Sequence, residues 1–174
     1  MNHEFKLYVQ AKTTGRYLLK LCSFFALIGG GIFFTLVVIS LVSIVGRKTG
    51  TISIIGDIEL IQVGTAVAAS LFFPYCTLLG EHIKVDFFTD CFSFKVRKAF
   101  DFIGNFLLLS VLIIITYRLG LQIGVSQEYG EVTTLLSIPI WWALLAMMPG
   151  FILACISTIY YAMLQFMLKE KELT

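Results

Sequence analysis

Long uncharged, apolar runs alternate along this chain with short charged segments. The first run, Leu21 to Val45, has twenty-five residues, and the second, Leu60 to Gly80, has twenty-one. A third, Phe102 to Tyr117, resumes after Arg118 as Leu-Gly-Leu-Gln-Ile-Gly-Val. The fourth lies inside the uncharged stretch from Val132 to Leu168. A membrane helix needs about 20 predominantly apolar residues, so each run predicts one crossing. Pro139 suits the first turn of a helix, which starts the fourth span there and ends it near Met167. The expected spans are therefore about 21–45, 60–80, 102–124 and 139–167. Pro74 falls inside the second, where neighbouring helices can satisfy the carbonyl it frees. Barrel strands would alternate apolar and polar over about ten residues, whereas these runs are apolar all round. The first run exceeds the roughly 7–15-residue core of a secretory signal and reads as an uncleaved span.

Two flanking segments carry a different pattern. Phe92, Val96, Ala99, Phe100 and Ile103 fall on one helical stripe, with Lys95, Lys98 and Asp101 off it. A short helix on the membrane surface, running into span three, fits that spacing. The segment 5–20 mixes Phe5, Tyr8 and Val9 with basic residues and also fits a surface position. For both, a solvated basic loop is the simpler alternative. The fold expected is an all-α integral membrane protein, one domain over 1–174, with four transmembrane helices and short interfacial amphipathic helices.

Composition agrees. Apolar residues make up 58% and charged ones 14% of the 174 residues, against roughly 45–50% and about 25% in soluble domains. The mean hydropathy is +0.90. That excludes intrinsic disorder and leaves too little polar surface for a soluble enzyme. The net charge of +2 is too small to point to nucleic acid. Cys22, Cys76, Cys91 and Cys155 form no C-x-x-C pair and read as small residues of a packed membrane core.

The basic residues set the orientation through their placement. Lys6, Lys12, Arg16, Lys20, Lys84, Lys95, Arg97, Lys98, Lys169 and Lys171 share one side of a four-span layout. Only Arg47 and Lys48 fall on the other, and Arg118 lies within span three. The N-terminus, the loop 81–101 and the C-terminus are therefore expected in the cytoplasm.

Little in the chain suggests catalysis. There is no G-x-x-x-x-G-K-[ST] and no H-E-x-x-H, and His3 and His82 both sit in cytoplasmic segments, away from any haem inside the bundle. No cofactor or metal is expected. Asp57 and Glu59 open span two, where negative charge suits the helix N-terminus; contact with a partner protein is the functional alternative. Counting from a helix start near Lys98, Arg118 is about 30 Å along, near the outer interface. There it either snorkels, pairs with Glu59, or pairs with a partner subunit. Glu128 and Glu131 fall in the outer loop. Trp141 and Trp142 begin span four and suit an aromatic belt. Gly29-Gly30-Gly31, Gly64-x-x-x-Ala68 and Gly120-x-x-x-Gly124 permit close helix contact. Residues 79–86 are the most distinctive. Glu81, His82 and Asp86 there could form a proton relay, but no nucleophile or ligand set accompanies them. Tying the loop to a helix end or a neighbouring subunit is the preferred reading.

Three stretches carry a family resemblance: Ile55-Gly56-Asp57-Ile58-Glu59-Leu60, Leu79-Gly80-Glu81-His82-Ile83-Lys84-Val85-Asp86, and Leu136-Ser137-Ile138-Pro139-Ile140-Trp141-Trp142 followed by Pro149-Gly150. Through them the chain resembles the small membrane subunit (DctQ type) of the tripartite ATP-independent periplasmic, or TRAP, transporters. The resemblance implies a large membrane subunit holding the substrate and sodium sites and a periplasmic substrate-binding protein. It also implies uptake of an organic acid, such as a C4-dicarboxylate, sialic acid or another sugar acid, at the bacterial inner membrane. The small subunit would then be a non-catalytic scaffold in membrane lipid. Arg47, Lys48, Asp57, Glu128 and Glu131 are the charges expected on the docking face. Glu59, Glu81, His82, Asp86, Arg118, Trp141 and Trp142 are candidates for structural or subunit contacts. The competing classes are an anchor subunit of a cofactor-bearing enzyme or electron carrier, and a self-sufficient small channel.

Overall fold

The computed structural model describes residues 13–50, 56–79 and 94–171. Four helices fill nearly all of them: α1 (Thr13–Thr49), α2 (Asp57–Leu79), α3 (Phe94–Glu128) and α4 (Ile140–Lys171). All four are long and apolar enough to cross a membrane. The protein is thus a multi-pass helical membrane protein. The 37 residues of α1 reach about 56 Å, well beyond a hydrocarbon core of about 30 Å. Residues 13–20, expected on the surface, are the first turns of α1, and residues 94–101 are continuous with α3. No separate interfacial helix occurs among the described residues.

The helices do not close into a bundle. α2 packs along both α1 and α4, α3 packs chiefly on α4, and α1 meets α4 only lightly. The order across the layer is α1, α2, α4, α3, so α1 and α3 stand at its two ends. Burial follows that order: 28% of each inner span is buried, against 11% for α1 and 6% for α3. An open row leaves two broad apolar faces, including Leu27, Phe34, Ile114 and Tyr117, uncovered by the chain itself.

Close approach of backbones explains the contacts. On α1 the buried positions Gly15, Cys22, Gly29, Leu36 and Ser43 recur every seventh residue, a seam facing α2. A Cβ on Gly29 would lie 3.0 Å from the Ala68 carbonyl oxygen, and one on Gly64 only 2.7 Å from Leu36. Between α2 and α4 the fit is tighter. Pro74 has no N–H for the Ser70 carbonyl one turn earlier. That oxygen turns to Gly150, where a Cβ would sit 2.4 Å from it. In lipid such van der Waals fit, rather than burial of apolar area, drives association.

Gly50, Gly56 and loop 129–139 mark one end of the row, the loop end. Near the opposite, tail end, Cys22, Leu78 and Leu153 form a small core with Leu18, Phe25, Tyr75 and Tyr160 around it. There the Cys22 thiol and Ser157 hydroxyl, 3.4 Å apart, join α1 to α4.

Candidate functional site

The loop end concentrates the polar chemistry of the described residues, and two carboxylates organise it. Asp57 stands at the start of α2 and is buried, with 7% of its surface exposed. One of its oxygens accepts from the Ser43 hydroxyl and the Arg47 guanidinium, each at 2.5 Å. The other accepts from the Ile58 amide at 2.9 Å. Ser43 and Arg47 are four residues apart, hence on one face of α1. Asp57 therefore joins the end of α1 to the start of α2 and satisfies one of the open amides of its own helix.

Glu59 makes the second joint. Its carboxylate accepts the backbone amides of Leu135, at 3.0 and 3.1 Å, and Leu136, at 3.2 Å, and the Thr134 hydroxyl. The loop it grips is shaped in advance. Gly130 closes α3 at φ 62°, with the Glu131 amide bonding back to the Ser126 carbonyl, a Schellman ending. Val132 and Pro139 bridge across the loop, and the Thr133 hydroxyl takes the Ile138 amide. Gly56, at φ 84°, lies directly under Leu136: a Cβ there would be 2.7 Å from the leucine Cγ. Thus the Gly56-Asp57-x-Glu59 stretch and the Leu136-Ser137-Ile138-Pro139 stretch, separate in sequence, form one contact.

The candidate residues separate accordingly. Asp57, expected on a docking face, is instead buried and bonded within the chain, because α1 ends with its hydroxyl and guanidinium beside it. Arg47 shares that pair while keeping 48% of its side chain exposed. Lys48 and Glu128 are exposed and Glu131 is half-buried at the same end. Trp141 and Trp142 stand edge to face in the first turn of α4, ring centroids 5.5 Å apart, with Trp142 exposed. Glu81, His82 and Asp86 lie outside the described residues. Ser43 and Thr134 were missed in the sequence. The Ser43/Arg47 spacing was a usable signal, whereas Thr134 and the loop amides had none.

Arg118 differs from the expectation. It makes no ion pair with Glu59, whose oxygens are taken by the loop. It lies within the apolar part of α3. α3 continues ten residues past it to Glu128, about 15 Å. Its neighbours Thr116 and Gly120 face Cys155 and Met148, about 23 and 12 Å along α4 from its start. A charge within an apolar span is costly, about 2.5–3.5 kcal/mol at a helix centre on an insertion scale, and is rare without a function.

These features define a helical membrane protein in which the start of α2 is locked to the end of α1 and to the α3–α4 loop. The chain belongs to the DctQ family, the small membrane component of the TRAP transporters. The family described as "Tripartite ATP-independent periplasmic transporters, DctQ component" matches residues 36–167. That range holds both halves of the loop-end contact and all of α2, α3 and the Trp pair. No curated protein and no solved structure matches the chain.

Proposed function

We propose that the chain is the non-catalytic scaffold subunit of a sodium-coupled TRAP transporter in a bacterial inner membrane, taking up an organic acid such as a C4-dicarboxylate, sialic acid or another sugar acid. The observation that carries this reading is the open row of helices. Transport pathways are built from polar groups inside a bundle. Here an open layer encloses no such interior, and its acidic side chains among the described residues sit at helix ends and in the loop. A layer with two uncovered apolar faces suits a support on which a larger membrane subunit rests.

In this reading the termini are cytoplasmic and the loop end faces the periplasm. Lys48, Glu128 and Glu131, with the exposed part of Arg47, supply charges to steer the substrate-binding protein. The test is uptake in proteoliposomes containing the large subunit and the binding protein, with and without this chain, under a sodium gradient. Sodium-dependent uptake that requires this chain supports the proposal. Equal uptake without it, or flux through this chain alone, overturns it.

A further inference from the structure

Arg118 stands ten residues, about 15 Å, before the loop end of α3, on a side that no described part of the chain covers. Leu112, Thr116 and Gly120 turn toward α4. Arg118 lies about 120° around the helix from Leu112. Leu107, Val111, Ile114, Gln122 and Val125 all lie within about 40° of Arg118, successive positions of the stripe being three or four residues apart, and all are exposed. This is a packing stripe of the kind one helix offers another, with an arginine and a glutamine at its centre.

The charge identifies what covers it. Among the described residues the acidic positions are at the helix ends and in the loop: Asp57, Glu59, Asp101, Glu128, Glu131 and Glu170. None of these described residues offers Arg118 a counter-charge at its level on α3. A symmetric second copy would bring a second Arg118 instead, which repels. The nearer lipid phosphates lie beyond the loop-end rim, while the side chain leaves the helix toward its N-terminus, away from that rim. We infer that this stripe docks a transmembrane helix of the large TRAP subunit that carries a carboxylate at the level of Arg118, and that Arg118 pairs with that carboxylate. The inference rests on the partnership proposed above. Removing one member of such a pair leaves the other charge buried and unpaired, so the loss on truncation is large.

The test uses the full chain co-expressed with the large subunit and purified through a tag on this chain. Arg118→Leu and Arg118→Glu are expected to lower recovery of the large subunit by about tenfold or more, and Arg118→Lys by less. Each variant purified alone should melt at or above the wild-type temperature, which separates docking from folding. A photo-crosslinker at Val111 or Gln122 should join the two subunits, whereas one at Ile113, on the other flank of α3, should not. Wild-type recovery of the large subunit with both Arg118→Leu and Arg118→Glu overturns the inference, as does loss of a bound phospholipid with the large subunit retained. If the wild-type chain itself brings down no large subunit, the scaffold reading fails first.

Discussion

Glu59, in the first turn of α2, holds the backbone amide of Leu135 at 3.0 Å across 76 residues of sequence. One carboxylate thereby fastens the connection after α3 to the helix before it. Glu59→Ala leaves the Leu135 and Leu136 amides without their acceptor. Hydrogen exchange at those two amides should accelerate on the order of tenfold, while amides in the centre of α2 stay unchanged. Unaltered exchange at 135–136 would show that the loop holds its shape without Glu59.

Asp57 accepts from three donors, and Arg47 is only one of them. Asp57→Ala should therefore lower the melting temperature of the purified protein more than Arg47→Ala does, by roughly 2–4 °C or more. The double variant should melt close to Asp57→Ala alone, because the pair shares one joint. Additive losses would argue that Arg47 stabilises something else.

Gly150 faces the Ser70 carbonyl with no room for a side chain. Gly150→Ala should cost about 1–3 kcal/mol of stability through forced separation of α2 and α4. Gly31→Ala is the control, since nothing lies within 4 Å of its added Cβ. Equal melting temperatures for the two variants of the isolated chain would contradict the close contact.

The four crossings were legible in the sequence because lipid demands long apolar runs, and charge ends each one. The faces of those crossings were not. In lipid a contact face and a lipid face are both apolar, so periodicity of hydrophobicity carries almost no information. What marks the α1 seam is mostly size: of its five positions at seven-residue spacing, Gly15, Cys22, Gly29 and Ser43 are small and Leu36 alone is large, a pattern that isolated glycine motifs do not reveal. Asp57 and Glu59 were recognised as helix-end carboxylates, yet their partners were hidden for different reasons. Ser43 and Arg47 lie across a turn, whereas the Leu135 amide is a backbone group that no residue type announces. For Arg118, spacing along α3 says nothing of its level against α4, which the contacts of Thr116 with Cys155 and of Gly120 with Met148 supply.

The orientation proposed here rests on the sequence pattern, in which ten basic residues share one side of a four-span layout and Arg47 and Lys48 the other. In intact spheroplasts of a variant lacking the native cysteines, Thr134→Cys and Lys48→Cys should react with a membrane-impermeant maleimide. A cysteine at Lys20 should react only after lysis. The opposite pattern would invert the topology and move the charged loop end away from any periplasmic protein.

The central claim is that this chain supports a larger transporter subunit. Its most direct measurement is the composition of the complex recovered from native membranes in mild detergent, using a tag on this chain. The expected result is a fixed ratio of this chain to one large multi-span TRAP subunit, stable through size-exclusion chromatography. Recovery of a correctly inserted chain with no large membrane subunit would contradict it.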